Sequence, residues 1–234
     1  MPMPTALVTG TDQGLGRAFV GELVARGFRV FAGSHALAKQ KRGPSEVSQA
    51  LTELPLDVTD PVLVQALAEA VDTRVGSLDL LVNNAAVNPE KGVPLEELDL
   101  EVVKRVLDVN AVGPLRLAQA LLPLLERGTS KTIVNVSSEA GSLSTCGRSS
   151  WFGYCMSKAA LNIQTRILEN YLVSRGFFVS SVHPGWLRSP MANFEGPVAP
   201  EDAAASIVRR ALDASRKRSD SSGFAVYDGT THPW

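Results

Sequence analysis

Short apolar runs alternate with longer helix-patterned stretches along the whole of this chain, and that alternation limits the folds open to it. The strand candidates are Thr5–Thr9, Arg29–Ala32, Leu54–Val58, Leu78–Val82, Thr132–Val136, Phe177–Val182 and Phe224–Tyr227. Helical patterning fills the stretches near 14–26, 60–74, 95–126, 153–175 and 200–215, while 36–50 is polar and Gly/Pro-punctuated and reads as a short or irregular helix. Strands that alternate with helices join through βαβ crossovers into a parallel sheet covered on both faces. Leu80-Leu81-Val82 and Ile133-Val134 are continuous apolar runs, as strands buried on both faces require. The expectation is one α/β domain over residues 1–234: a doubly wound Rossmann fold, its seven-stranded parallel sheet flanked by helices. Residues 186–200, with Pro190, Pro197 and Pro200, read as a loop beside the site.

The bulk properties exclude several function classes. The 234 residues carry 23 basic and 24 acidic side chains, a near balance that does not point to nucleic acid or an anionic membrane. The run Arg216-Lys217-Arg218 reads as a solvated helix end. Two cysteines, Cys146 and Cys155, make neither a disulfide framework nor a metal-ligand set, so no metal is expected. No signal-peptide pattern and no run of eighteen apolar residues is found, so the expected location is the cytoplasm.

The first strand leads into Thr9-Gly10-Thr11-Asp12-Gln13-Gly14-Leu15-Gly16, and a helix follows. Glycines let backbone approach a pyrophosphate, and a helix N-terminus offers free N–H groups and a positive dipole end. The spacing Thr-Gly-x-x-x-Gly-x-Gly resembles the signature of the short-chain dehydrogenases/reductases. In that family an Asp at the end of the third strand contacts adenine, here Leu56-Asp57-Val58. Asn83-Asn84-Ala85-Ala86 ends the fourth strand and resembles the family's Asn-Asn-Ala-Gly, with Ala86 in the glycine position. His183-Pro184-Gly185-Trp186-Leu187-Arg188-Ser189 resembles the family's Pro-Gly loop, whose backbone meets the nicotinamide. The implied cofactor contacts are Gly10, Asp12, Gln13, Gly14, Leu15, Gly16, Ser34, Asp57, Val58, Asn84, Ala85, Ala86, Tyr154, Lys158, Pro184, Gly185, Leu187 and Ser189. An acidic residue ~20 positions after the turn would favour NAD. The second strand ends Phe31-Ala32-Gly33-Ser34-His35 without one, which favours NADP.

Of three tyrosines only Tyr154 has a lysine four residues on, Lys158, so a helix puts both on one face. A phenol has a free pKa of about 10; a neighbouring ammonium favours its ionised form and makes it a better acid–base group near neutral pH. The resemblance supplies the rest of a catalytic set. Ile133-Val134-Asn135-Val136-Ser137-Ser138 matches the family's serine strand, with the substrate-orienting role on Ser138 and Ser137 as the alternative. Asn110 matches the helix asparagine that holds a proton-relay water. The long segment Glu139–Gly153, the Met156–Asn162 stretch and the Tyr227–Trp234 ending resemble the carbonyl-reductase subgroup that contains sniffer and the bacterial C-factor. Members reduce ketones, aldehydes or quinones with NADPH. A small-molecule carbonyl or alcohol is the expected partner, in a pocket walled by Trp151, Phe152, Trp186, Met191 and Phe194, and a homodimer or homotetramer the expected assembly. Leu117, Leu121 and Leu124 or Ile163, Ile167 and Tyr171 would serve an interface or the core equally well. The competing reading is a non-catalytic NADP-binding sensor or signalling protein on the same fold.

Overall fold

A computed structural model describes residues 3–217 and 224–234; Arg218 of the basic run lies outside them. The strands are β1 (Thr5–Thr9), β2 (Arg29–Ser34), β3 (Ser45–Ser48), β4 (Leu51–Pro55), β5 (Leu80–Asn83), β6 (Thr132–Val136), β7 (Phe178–His183), β8 (Phe224–Val226) and β9 (Thr231–His232). The α-helices are α1 (Gly14–Ala25), α2 (His35–Lys39), α3 (Pro61–Val75), α4 (Leu100–Leu107), α5 (Gly113–Arg127), α6 (Phe152–Leu172) and α7 (Pro200–Lys217). One sheet runs β3-β4-β2-β1-β5-β6-β7-β8-β9. Its seven inner strands are parallel, as expected from the sequence; β3 and β9 extend the edges antiparallel, so the described residues form nine strands rather than seven. Ser45-Glu46-Val47-Ser48 is polar and mostly exposed, and β9 has two residues, so neither writes an apolar run. Within 36–50 only His35–Lys39 is helical.

Two other boundaries moved. The third parallel strand covers Leu51–Pro55, not Leu54–Val58: Leu56 and Val58 are buried beyond the strand's end, so the apolar run outlasts the ladder. The stretch 95–126 is a short 3-10 turn, then α4, a π-helical turn over Asp108–Val112, and α5. Pro114 is at the start of α5, where a missing N–H costs nothing, and a π-turn changes the helix phase just before it.

Alternation along β1 divides the core. Ala6 and Val8 pack against α1 and α7 with Phe19, Leu23, Ala203 and Ile207. Leu7 faces the other way, onto α3 and α5 with Leu67, Val71, Leu117, Leu121 and Leu125. Asp60 caps α3, accepting from Val62 N at 2.8 Å ahead of Pro61, and Gly76 ends it at φ +71°. The chain turns from β1 to β2 on one side and takes β5 on the other. Ligands in open α/β sheets bind at such a switch point, beyond the carboxyl ends of the strands. No helix of the described residues is long and apolar enough to cross a membrane.

Candidate active site

A cleft of about 350 Å³ opens at that switch point. Of the residues assigned to it from the sequence, Gly10, Asp12, Gln13, Gly14, Leu15, Gly16, Asp57, Val58, Asn84, Ala85, Ala86, Tyr154, Lys158, Pro184, Leu187 and Ser189 line it. Ser34, Asn110, Ser138 and Gly185 are not in this lining but are each next in the chain to a residue that is, His35, Val109, Ser137 and Pro184. His35 and Arg105 complete one end and Ser137 the other.

The glycine turn is shaped for a close approach. Gly10 takes φ +67°, and a Cβ there would come within 2.8 Å of Ala85 Cα; one on Gly16 would fall 2.0 Å from Gly10 O. Asn84 locks the turn, donating from Nδ2 to Thr9 O at 2.9 Å and Gly10 O at 3.1 Å. Gln13 precedes α1 without a side-chain cap, so the first N–H groups of that helix keep their binding capacity. Ala86 is not among the residues with positive φ, so replacing the family's glycine strains no backbone. At the far end the Asp12 carboxylate accepts from Ser34 Oγ at 2.6 Å, His35 N at 3.1 Å and Ala36 N at 3.3 Å. These bonds tie the turn to the start of α2, a contact that sequence distance does not reveal. Burial pushes the Asp57 carboxyl up, but two hydrogen bonds from Thr59, at 2.9 and 2.7 Å, outweigh it and hold the group below its usual range. Gly185, at φ +81°, packs under Tyr227, whose ring would lie 2.7 Å from a Cβ there.

Tyr154 and Lys158 share one face of α6 and are 8% and 2% exposed. Lys158 Nζ donates to Val136 O at 2.8 Å and lies 5.7 Å from the Tyr154 ring centroid. Burial dominates both groups. It pushes the phenol up to about 12, against the opposing Ser138 hydroxyl, and the amine down to about 7. The ammonium effect expected from the sequence is therefore outweighed here. Asn110 is fully buried in the π-turn; its Oδ1 accepts from Val87 N and its Nδ2 donates to Val87 O, both at 2.9 Å, and to Ser157 Oγ at 3.0 Å.

Three side chains that the sequence did not single out complete the site. Glu90 is 3% exposed and its Oε1 accepts from Tyr154 N at 2.8 Å, which caps the first turn of α6. Gly153 leaves room for it, since a Cβ there would lie 2.2 Å from that oxygen. Glu139 Oε2 accepts from Ser138 Oγ at 2.6 Å, and Arg148 donates to its Oε1. Burial pushes the Glu139 carboxyl up, but Ser138 and Arg148 outweigh it and hold it below the usual range. Of the five expected pocket walls, Met191 lines the cleft, whereas Trp186 and Phe194 are 57% and 63% exposed. Trp151 and Phe152 are half-buried and do not line it, though Trp151 packs edge-on against Tyr154 with centroids 6.0 Å apart.

A nicotinamide dinucleotide, which the family resemblance implies, fits these residues. The glycine turn presents bare backbone, and the buried Ser137 Oγ faces the cleft with no hydrogen-bond partner.

Comparison with known proteins agrees. A family model described as short chain dehydrogenase matches residues 4–197. Retinol dehydrogenase 5 of Mus musculus is 38% identical over 190 residues, which are 80% of this chain and 58% of that protein, so the chain spans under two thirds of this relative. The C-signal protein of Myxococcus xanthus is 33% identical over 167 residues, 71% of this chain and 99% of that one. Among solved structures, the carbonyl reductase Sniffer of D. melanogaster is similar with a TM-score of 0.85 and 26% identity, and an NADPH-bound carbonyl reductase from chicken fatty liver with 0.84 and 28%, each covering all of both chains. Glycine turn, Tyr154–Lys158 pair and whole-chain likeness agree: this chain belongs to the short-chain dehydrogenase family of oxidoreductases.

Proposed function

We propose that the protein is an NADP-dependent carbonyl reductase of small ketones, aldehydes or quinones. The observation that carries this reading is Tyr154, with the Lys158 amine 5.7 Å from its ring centroid, on the lining of a cleft bounded by the bare backbone of the glycine turn. The cofactor, when bound, supplies a hydride to the carbonyl carbon. Reduction also needs a proton at the carbonyl oxygen, and Tyr154 is placed to give it. Ser138 orients that oxygen beside the phenol. Lys158, with an amine near 7, changes charge close to neutral pH and can return a proton to the tyrosinate. Asn110 holds the Val87 strap and Ser157 in place and completes the path by which Lys158 exchanges protons. Gly10, Gln13, Gly14, Leu15 and Gly16 would hold the pyrophosphate, Asp57 and Val58 the adenine, and Asn84, Ala85 and Ala86 the central ribose. Pro184, Leu187 and Ser189 would flank the nicotinamide, with Gly185 shaping their loop. His35 and Arg105 can meet a 2′-phosphate, and Ser34 holds Asp12 away from it. NADPH in the chicken carbonyl reductase and NADP bound to a putative short-chain dehydrogenase/reductase from Burkholderia multivorans, 26% identical to this chain with a TM-score of 0.80, support the cofactor assignment.

The protein is expected to work as a homodimer or homotetramer in the cytoplasm; Cys146 and Cys155 are both free thiols. The test is a thermal melt with saturating NADPH and with NADH, followed by carbonyl reduction. NADPH at a hundredfold excess over Kd should add about 2.7 kcal/mol, or ~5–10 °C. Tyr154→Phe should lose turnover by at least about a thousandfold while keeping that shift. Retained turnover would refute the role of Tyr154, and no shift with either dinucleotide would refute the cofactor site.

A further inference from the structure

The substrate side of the site carries a hydrogen bond that an ordinary carbonyl would have to break. Ser138 has one hydroxyl proton, which it donates to Glu139 Oε2 at 2.6 Å, while Ser138 Oγ itself accepts from Ala140 N at 3.1 Å. To orient a carbonyl oxygen, Ser138 must turn that proton onto the substrate. The Glu139 carboxylate, its side chain 35% exposed, then exchanges that donor for water or for a donor carried by the substrate. Its freedom to find another is small. Arg148 holds Oε1, its guanidinium stacked 5.0 Å from the Trp151 ring centroid, and the Glu139 backbone N is bound to His183 Nδ1 at 3.4 Å. Trp151 in turn packs edge-on against Tyr154, with centroids 6.0 Å apart. Oε2 is therefore held beside Ser138, next in the chain to the cleft-lining Ser137, where a substrate hydroxyl can take the place of the Ser138 donor.

Resting on the carbonyl-reductase reading, we propose that the preferred substrates are α-hydroxy carbonyl compounds, whose neighbouring hydroxyl replaces Ser138 as the donor to Glu139. The distances match. A hydroxyl on the adjacent carbon lies about one hydrogen-bond length from the carbonyl oxygen, and Glu139 Oε2 lies one hydrogen-bond length from Ser138 Oγ. A single substrate thus takes the Ser138 proton on its carbonyl oxygen and returns a proton donor to Glu139. The number of hydrogen bonds is conserved as the complex forms. A substrate with a methyl in place of that hydroxyl offers Oε2 no donor, and sites built to bond a hydroxyl discriminate strongly against analogues without one.

The experiment uses matched pairs on the full chain: hydroxyacetone against butanone, and glycolaldehyde against propanal, each with NADPH. Native protein should show kcat/KM about ten- to a hundredfold higher for the hydroxylated member, the range expected for a hydrogen bond to a charged group. Glu139→Leu should bring that ratio to near one, and Glu139→Gln, which keeps an acceptor oxygen, should leave it intermediate. Because the readout is a ratio within one protein, a general loss of rate or of folded fraction does not imitate it. If Glu139→Leu does not fold, the native and Glu139→Gln ratios decide. Equal use of both members by the native protein, or an unchanged ratio in the variants, overturns the proposal and leaves the reductase reading standing. NADPH binding with turnover of no member also overturns it. Failure to bind NADPH and to reduce any carbonyl overturns the reductase reading itself.

Discussion

Tyr154 and Lys158 face the same problem from opposite signs: each is buried, and each resists its charged form. For Lys158 the consequence for stability is measurable. Its folded pKa of about 7 lies below the ordinary 10.5, so between those values the unfolded chain binds more protons and folding stability climbs with pH. The contribution is fully present above the unfolded value and is lost as pH falls through the folded one. Denaturant melts of native protein and Lys158→Met should therefore differ by a constant below about pH 7 and diverge in favour of native from there to about 10.5; a pH-independent difference would show that the amine is not held neutral. The pair was legible in the sequence because helical spacing alone places i and i+4 together. Glu90 was not, because it meets Tyr154 across 64 positions of chain, and Glu139 looked like one more polar residue of a loop. Asp12 was read as part of a phosphate turn, and its carboxylate is instead bonded to the Ser34 hydroxyl and the first N–H of α2.

At the level of elements, the active-site helix is held from both sides. Its N-terminus begins after Trp151, which sits at φ +66° and offers no side-chain cap. Glu90 supplies one from the loop after β5. Along its buried face Asn162 accepts from Ser181 Oγ at 2.7 Å, and Thr165 accepts from Asn135 Nδ2 at 2.8 Å, which fixes the helix on β6 and β7. Removing the cap with Glu90→Ala should cost about 1–2 kcal/mol, lower Tm by ~2–8 °C, and reduce kcat more than NADPH affinity, because the first turn carries Tyr154 and not the phosphate site. Equal losses in kcat and in NADPH affinity would mean that the loop, and not the helix end, had collapsed. The long helical pattern over 95–126 hid the breaks around Asn110, since apolar periodicity persists through a π-turn. The structural reason for Asn110 is its clamp on Val87, which joins that turn to the loop bearing Glu90.

For the molecule as a whole, the central parallel strands β1, β5 and β6 were readable because each is buried along its whole length, whereas β4 alternates buried and half-buried residues and its bounds were misplaced. The two antiparallel edge strands were not, being short or polar. The same contrast between buried and exposed apolar residues separates the two candidate interface sets. Leu117, Leu121 and Leu124 are all within 3% of full burial and belong to the core. Ile163, Ile167 and Tyr171 are 59%, 59% and 65% exposed, and with Met156 they form one stripe along the outside of α6. Val112 and Leu115 are exposed beside it, where Gln164 lies against Ala111 and Leu115. A stripe of this kind on a helix whose other face is fully packed is what a second copy would cover, by two-fold pairing of like faces. Sedimentation at micromolar concentration should then give twice the 24.9 kDa of one chain, and Ile167→Glu should give the single chain. Each partner in such a pair braces the outer face of the other's α6, so the variant should also melt lower and lose turnover in proportion. A native protein that sediments as one chain would leave the stripe solvated and place the rigidity of Tyr154 entirely on Glu90, Asn135 and Ser181.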